Sequence, residues 1–257
     1  MTRPLPFLAR ALSGLTLARA LAGPILALAL AAAPASAEEV DVELVLAADG
    51  SGSIDDDELT LQRQGYADAV TSREVLEAIA SGIHGKIAVA YVEWGGPVSQ
   101  HVIVDWTVID GPASAAAFGE ALTTRPREAF GHNSISAAID FSVNQMEING
   151  IDGLKRVIDV SGDGPNIGGR PVRDARDDAV AQGITINGLV IVRPGGQIRR
   201  VAGEPLTVHY ERDIIGGPGA FVMTADETAT FSEVVRRKMV LEIAGTPGDE
   251  GGRLARR

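Results

Sequence analysis

A short polar turn, Asp49-Gly50-Ser51-Gly52-Ser53, carries the side chains of this chain that are best suited to bind a metal ion. The preceding run, residues 40–46, is mostly apolar and predicts a buried strand, and the acidic residues 55–58 suit the first turn of a following helix. In an extended or gently turning backbone, residues two positions apart point the same way, so one carboxylate and two hydroxyls can converge on one point. Asp49, Ser51 and Ser53 thus offer the hard oxygen ligands that Mg²⁺ selects.

Strand-like and helix-like patterns alternate along the rest of the chain. Apolar runs predict strands at residues 87–94, 102–106, 154–160, 184–192 and 220–223, and helical spacing predicts helices at 59–70, 75–79, 112–122, 134–146, 171–181 and 226–244. The Gly95-Gly96-Pro97 turn predicts an antiparallel hairpin, whereas Asn187-Gly188 leaves open whether 184–192 is one strand or two. This order predicts an α/β fold with a mainly parallel central sheet, one antiparallel edge strand and helices on both faces. Residues 194–218 read as loop.

Three predicted loops share the position at which open α/β sheets bind ligands, after the carboxyl ends of strands or at a helix start. The first is the Asp49 turn. The second, Gly131-His132-Asn133-Ser134, opens the helix predicted at 134–146. The third, Gly162-Asp163-Gly164, directly follows the strand predicted at 154–160. Polar side chains from three separate parts of the chain are therefore expected at one edge of the sheet.

The strand followed by Asp49-x-Ser51-x-Ser53 is similar to the first metal loop of a von Willebrand factor A (vWA) domain. That family has a three-layer, Rossmann-like fold. Its metal-ion-dependent adhesion site combines D-x-S-x-S with a Thr from a second loop and an Asp from a third. The ion implied by the resemblance is Mg²⁺, with Mn²⁺ or Ca²⁺ as alternatives.

The same resemblance implies the remaining ligands. Residues 133–139 are similar to the family's T-x-x-G-x-A-I run, which puts Asn133 where the family has its Thr, and Asp163 falls on the third-loop Asp. An amide oxygen can ligate Mg²⁺, but it reaches further than a hydroxyl and carries an NH₂ group that must face away. Ser134 is therefore an alternative ligand.

Three longer stretches of sequence indicate a more specific family. Residues 156–166, 183–188 and 215–222 resemble a bacterial exported family of unknown function that has a vWA-type fold. This resemblance covers nearly all of the chain after residue 37, but it implies no particular activity.

The first 37 residues have the features of a secretory signal peptide. Their only charges are three arginines, residues 20–33 are apolar and Ala-rich, and Ala35-Ser36-Ala37 is a small-x-small cleavage site. The alternative, that this segment is a membrane anchor, fits less well because its apolar stretch is short and is interrupted by Gly23-Pro24. We expect export to the bacterial periplasm or medium, one vWA-like domain at residues 38–244, a disordered tail at 245–257, and no membrane span after cleavage.

The composition excludes several classes of function. A formal net charge of −11 argues against nucleic acid and anionic membranes as partners. Because the chain has no cysteine, disulfides, thiolate metal sites and cysteine nucleophiles are excluded.

These observations predict a binding protein rather than an enzyme. In the resembled family, an acidic side chain of a partner protein completes the coordination of the ion. A hydrolase is one alternative, although the chain contains no G-x-S-x-G motif. It would use either Ser51 or Ser53 as a nucleophile, with one of the four histidines (His84, His101, His132 or His209) as its base, or the same ion, with His132 or Asp55 as its base. A metal-free scaffold, in which Asn133 marks a lost site, is another.

Overall fold

The computed structural model describes residues 37–192, 199–226 and 230–245. Almost all of the predicted signal peptide and tail lies outside these described residues, so those two predictions are not tested. Within the described ranges, no helix combines the length and the hydrophobicity needed to span a bilayer.

The described residues contain eight strands, which in chain order are β1 (Glu38–Asp49), β2 (Ile87–Trp94), β3 (Gln100–Ile109), β4 (Ile151–Gly162), β5 (Ile184–Ile191), β6 (Arg200–Val201), β7 (Glu204–Pro205) and β8 (Val222–Ala225). Strands β6 and β7 pair with each other in a small separate sheet, and the other six form the main sheet. The helices are α1 (Asp56–Val70), α2 (Arg73–Ala80), α3 (Pro112–Thr124), α4 (Ile135–Ile148), α5 (Val172–Ala181), α6 (Leu206–His209), which continues into a π-helical turn (Tyr210–Ile214), and α7 (Phe231–Ala244).

The main sheet has the order β3-β2-β1-β4-β5-β8. All neighbouring pairs are parallel except β2 and β3, and β3 lies at the edge. The prediction of a mainly parallel sheet with one antiparallel edge strand is therefore confirmed. The chain leaves β1 towards β2 on one side and later returns to β4 on the other, so the sheet has a topological switch point between β1 and β4.

Helices cover both faces of this sheet, which confirms the three-layer architecture. One apolar core is formed with α1, α2, α3 and α7, and includes Tyr66, Phe118 and Val235. The second core is formed with α4, α5 and the π-helical turn, and includes Ile139 and Tyr210. Since the central strands are buried on both sides, they read as nearly continuous apolar runs rather than as alternating patterns.

The structure settles one question that the sequence left open and changes local predictions elsewhere. Residues Ile184–Ile191 form one continuous strand, so Asn187-Gly188 does not turn the chain. Gly188 is required there because a Cβ atom would lie 2.9 Å from Cδ1 of Tyr210, which packs against the strand. The last strand begins two residues later than predicted, and the region read as loop contains a short hairpin, α6 and the π-helical turn.

Candidate metal centre

The first loop begins at Asp49, the last residue of β1, whose side chain is fully buried. Oδ1 of Asp49 accepts a hydrogen bond of 2.8 Å from the backbone N–H of Ser51, which closes the turn. The carbonyl oxygen of Asp49 accepts a hydrogen bond of 3.0 Å from Nε2 of Gln62 in α1. The guanidinium of Arg127 donates to the carbonyl oxygens of Gly50 and Ser51, at 3.0 and 2.8 Å. Neighbouring elements thus hold the backbone of this loop in place.

Backbone hydrogen bonds attach the second loop to the first loop and to the turn that follows β2. The N–H of Gly52 donates to the carbonyl oxygen of Gly131 at 2.9 Å. Gly131 has a φ of +91°, in the region that favours glycine, and a Cβ atom there would lie 3.1 Å from the backbone of Gly96. The N–H of Ser134 donates to the carbonyl oxygen of Gly95 at 2.8 Å. These contacts place Asn133, which lies between the two anchors, beside the first loop.

The third loop follows β4 and is attached to the second. The backbone N–H groups of Ile167 and Gly168 donate to the carbonyl oxygen of Asn133, at 2.8 and 3.1 Å. Asp163, directly after β4, accepts a hydrogen bond of 3.2 Å at Oδ1 from Oγ of Ser53. Because β1 and β4 are adjacent and parallel, the loops that follow them meet at the switch point.

The five residues predicted as ligands form a continuous chain of contacts across these loops. Nδ2 of Asn133 donates to Oδ2 of Asp49 at 3.4 Å, and Oδ1 of Asn133 accepts from Oγ of Ser51 at 3.1 Å. The hydroxyl oxygens of Ser51 and Ser53 are 3.1 Å apart, and Ser53 contacts Asp163. The structure therefore brings two carboxylates, two hydroxyls and one amide to a single place.

Two other predicted residues point elsewhere. The hydroxyl of Ser134, proposed as an alternative ligand, donates to the carbonyl oxygen of Gly168 at 3.0 Å. Asp55, considered as a base, is the N-cap of α1: its Oδ1 accepts from the N–H of Glu58 at 2.8 Å, and the Glu58 carboxylate accepts from the N–H of Asp55. His132 is exposed within the second loop.

The electrostatics of the site favour a bound cation. Burial raises the pKa of Asp49 to about 7, against the hydrogen bonds from Ser51, and the charge of Asp163 raises it further. The pKa of Tyr210 is also raised well above its ordinary value, first by burial and then by the charges of Asp49 and Asp163. A guanidinium nitrogen of Arg199, whose side chain is about half exposed, lies 4.0 Å from Oδ1 of Asp163. A divalent ion bound between the carboxylates would offset both the repulsion between their charges and the cost of burying them.

The donor set also fits an oxygen-preferring divalent ion. Two carboxylates balance the charge of such an ion, and hydroxyl and amide oxygens add ligands without adding charge. In the part of the chain that the structure describes, no group of three or more His, Cys, Asp or Glu side chains is placed to hold a metal. A metal at this place would therefore depend on Ser51, Ser53 and Asn133 as well as on the two acids.

The sequence did not indicate the residues that support the ligands. Arg127 lies between the helices predicted at 112–122 and 134–146, in a stretch with no predicted role, and Gln62 lies on a helix face whose partner is known only once α1 is packed. A buried ion pair between Arg63 and Glu93, at 2.7 Å, also helps to hold the segment that leads to the second loop, because Arg63 donates to the carbonyl oxygens of Arg125 and Pro126.

Comparison with protein families gives one match over most of the chain. The model of a family described as "Protein of unknown function (DUF1194)" matches residues 39–247. A comparison with curated proteins gives no match.

Solved structures with a similar fold include a vWA protein, a byssus matrix protein and a pilus adhesin. A von Willebrand factor type A protein from Catenulispora acidiphila is 16% identical with a TM-score of 0.56, over 81% of this chain and 44% of its own. Proximal thread matrix protein 1 from the mussel byssus, in a structure with a zinc-occupied MIDAS motif, is 13% identical with a TM-score of 0.53, over 79% and 46%. The pilus adhesin SpaC from Lactobacillus rhamnosus GG is 13% identical with a TM-score of 0.55, over 81% and 31%. This chain thus spans less than half the length of these structures, and the likeness shows a vWA-type fold.

Proposed function

Since the chain belongs to the DUF1194 family and has a vWA-type fold, we propose that it is an exported protein that binds a partner through a divalent cation held at the switch point of its sheet. The ligands in this proposal are the five oxygen-bearing side chains of the three loops: Asp49, Ser51, Ser53, Asn133 and Asp163. The observation that carries the proposal is the pair of buried acids, Asp49 and Asp163, joined through hydroxyl and amide groups.

The chemistry proposed for the site is recognition. Mg²⁺ prefers about six oxygen ligands and usually keeps several waters, so an acidic side chain of a partner protein has a place to bind when the ion is present. The protein's part is to orient the ligands: Arg127 and Gln62 hold the backbone of the first loop, and Asn133 donates to Asp49 while presenting its oxygen beside Ser51. The descriptions of two structural relatives, a pilus adhesin and a byssus matrix protein, support a role in protein binding.

We propose binding rather than hydrolysis because, among the described residues, no histidine is positioned to act as a base on Ser51. The four histidines all lie in the described part of the chain, and none of them is hydrogen-bonded to Ser51. His209 is paired with Asp213 at 2.7 Å, and His101 contacts Ser99 and Glu128. Esterase and phosphatase activity that disappears in Ser51→Ala would contradict this part of the proposal.

Calorimetric titration with Mg²⁺ and Mn²⁺ tests the metal site. We expect saturable binding by the wild-type protein and loss of binding in Asp49→Ala. The matched control is Asp57→Ala, which removes an exposed acid from the first turn of α1 and should bind as the wild type does. Absence of binding in the wild type, or equal binding in Asp49→Ala, would favour the metal-free scaffold instead.

The partner-binding part needs its own test. Proteins from the exported fraction of the host should be retained by the immobilised wild-type protein and by Asp57→Ala in Mg²⁺, but not in EDTA and not by Asp49→Ala. Retention that is equal for all three proteins, or unchanged by EDTA, would show that the ion is not part of the interface.

A further inference from the structure

Three ionisable side chains lie together in the core between α7 and β4, away from the candidate metal centre. Lys238 and Glu242 are one turn apart on α7, and Asp159 is in β4. Their side chains are 0%, 0% and 1% exposed. Burying an amine and two carboxyl groups costs hydration free energy. Apolar residues of similar size would pack the helix against the sheet without that cost.

The geometry puts the amine in contact with both acids. Nζ of Lys238 lies 2.7 Å from Oδ1 of Asp159, yet this contact is outside the angular range of a hydrogen bond. The same Nζ donates to Oε1 of Glu242. Oε1 of Glu242 also accepts from Nδ2 of Asn187 at 3.0 Å, whereas its Oε2 has no hydrogen-bond partner among the described residues. The ring of Phe221 covers the amine at 5.2 Å.

The charges of this cluster do not balance. Burial raises the pKa of Glu242 to about 7, and burial also raises the pKa of Asp159. Burial lowers the pKa of Lys238, but the two facing acids more than offset it. One ammonium therefore faces two carboxyl groups in a medium of low polarity, where proton transfer from nitrogen to a carboxylate gives neutral amine and neutral acid.

From this arrangement we propose that Lys238 and Asp159 condense to form an intramolecular isopeptide bond. The neutral Nζ attacks Cγ of Asp159, which is in its protonated, acid form. Glu242 accepts the proton that the nitrogen loses and returns it to the departing hydroxyl group. The N–C bond forms, the C–OH bond breaks, and one water molecule leaves, so the step needs no oxidant, reductant or other reactant. The amide that results is neutral, and Glu242 remains hydrogen-bonded to Asn187.

The bond would tie the last helix to a central strand. Asp159 lies in β4, which pairs with β1 and β5 in the middle of the sheet, whereas Lys238 belongs to the final described helix. It would also fix the strand that leads directly to Asp163. An exported protein without cysteine would in this way have a covalent cross-link that does not depend on redox conditions.

Peptide mass spectrometry of the denatured, trypsin-digested full-length protein tests the proposal. Acylation of Lys238 blocks cleavage after it, so we expect peptide 157–173 joined to peptide 238–253, with a mass lower than their sum by one water molecule. Cleavage after Lys155 in the same digest is the internal control. Normal cleavage after Lys238, with both peptides recovered separately, would overturn the proposal. A cross-link to Asn187, recognised by loss of ammonia instead of water, would overturn the assignment to Asp159.

Two variants test the assigned roles. Lys238→Arg keeps a buried cation but should abolish the joined peptide completely. Glu242→Gln keeps the size and the hydrogen-bonding capacity of the side chain but not its ability to accept a proton, so the joined peptide should fall at least tenfold. A joined peptide as abundant as in the wild type would show that Glu242 does not move the proton.

Discussion

Asp49 is the residue on which the account of the metal centre depends. Its carboxylate is fully buried at the end of a strand, next to a second carboxylate, and its pKa is raised to about 7. A buried acid of this kind is unfavourable unless something compensates for its charge. The surrounding hydroxyl and amide groups compensate only in part, which is the physical reason to expect a cation.

The raised pKa of Asp49 predicts that metal binding depends on pH. Protons and the ion compete for the same carboxylate, so affinity is greatest above pH 7 and declines as the pH falls through that value. Below it we expect the Mn²⁺ affinity to fall about tenfold per pH unit. Calorimetric titrations at a series of pH values on both sides of neutrality measure this directly, and an affinity that does not change between them would contradict the assignment of Asp49 as a ligand.

Asn133 and its neighbour Ser134 give a paired test of the second loop. Asn133→Ala removes an amide oxygen beside Ser51 and the N–H donor to Asp49, so we expect about tenfold weaker Mn²⁺ binding. Ser134→Ala removes a hydroxyl that is bonded to Gly168 and should leave the affinity unchanged. The reverse order of effects, measured by the same titration, would identify Ser134 as the ligand.

At the level of single residues, sequence could predict the ligand candidates but not their supports. Asp49, Ser51 and Ser53 follow one strand at fixed spacing, so their convergence follows from local geometry. Arg127 is 76 and 77 positions away from the carbonyl groups it binds, and only the packed fold brings it there. The sequence likewise could not decide whether Asn133 or Ser134 is the ligand, because that depends on which side chain is hydrogen-bonded to the neighbouring loop.

At the level of elements, most strands and helices were predictable, because the strands contain apolar runs and the helices keep their apolar residues at helical spacing. Local signals were insufficient where tertiary contacts decide the structure. Asn187-Gly188 is a typical hairpin sequence, but Asn187 is buried and bonded to Glu242, and Gly188 makes room for Tyr210. The short elements between residues 200 and 214 have no strong periodicity and could not be read in advance.

The contact of Arg127 with the first loop makes a prediction about that element. Arg127→Gln removes donors to two carbonyl groups of the turn, so we expect faster amide hydrogen exchange at residues 51–53 and about tenfold weaker metal binding. The control is Arg73→Gln, which breaks an exposed pair with Glu77 and should change neither, because such pairs are worth about 0–1 kcal/mol. Equal exchange in the two variants would show that Arg127 does not order the loop.

At the level of the whole molecule, the order of elements determines where the site lies. Strands β2 and β3 extend the sheet on one side of β1, and β4 pairs with β1 on its other side. The loops that follow β1 and β4 come from distant parts of the sequence and therefore lie next to each other. This could be predicted from the alternation of strands and helices, since parallel strands present their carboxyl ends at one edge.

The whole-molecule proposal includes export, which rests on residues 1–37. We expect the protein recovered from the periplasm or medium of a bacterial host to begin at Glu38, the first residue of β1. N-terminal sequencing of the exported protein measures this. A protein that keeps residues 1–37 and sediments with membranes would contradict it and would favour the membrane-anchor interpretation.

The most direct measurement of the central claim is anomalous diffraction from crystals grown with Mn²⁺. The account predicts one strong anomalous peak within bonding distance of the side-chain oxygens of both Asp49 and Asp163, and no such peak in crystals of Asp49→Ala. A map in which the wild-type protein shows no peak between these two residues, or shows its peak at another place, would contradict the account.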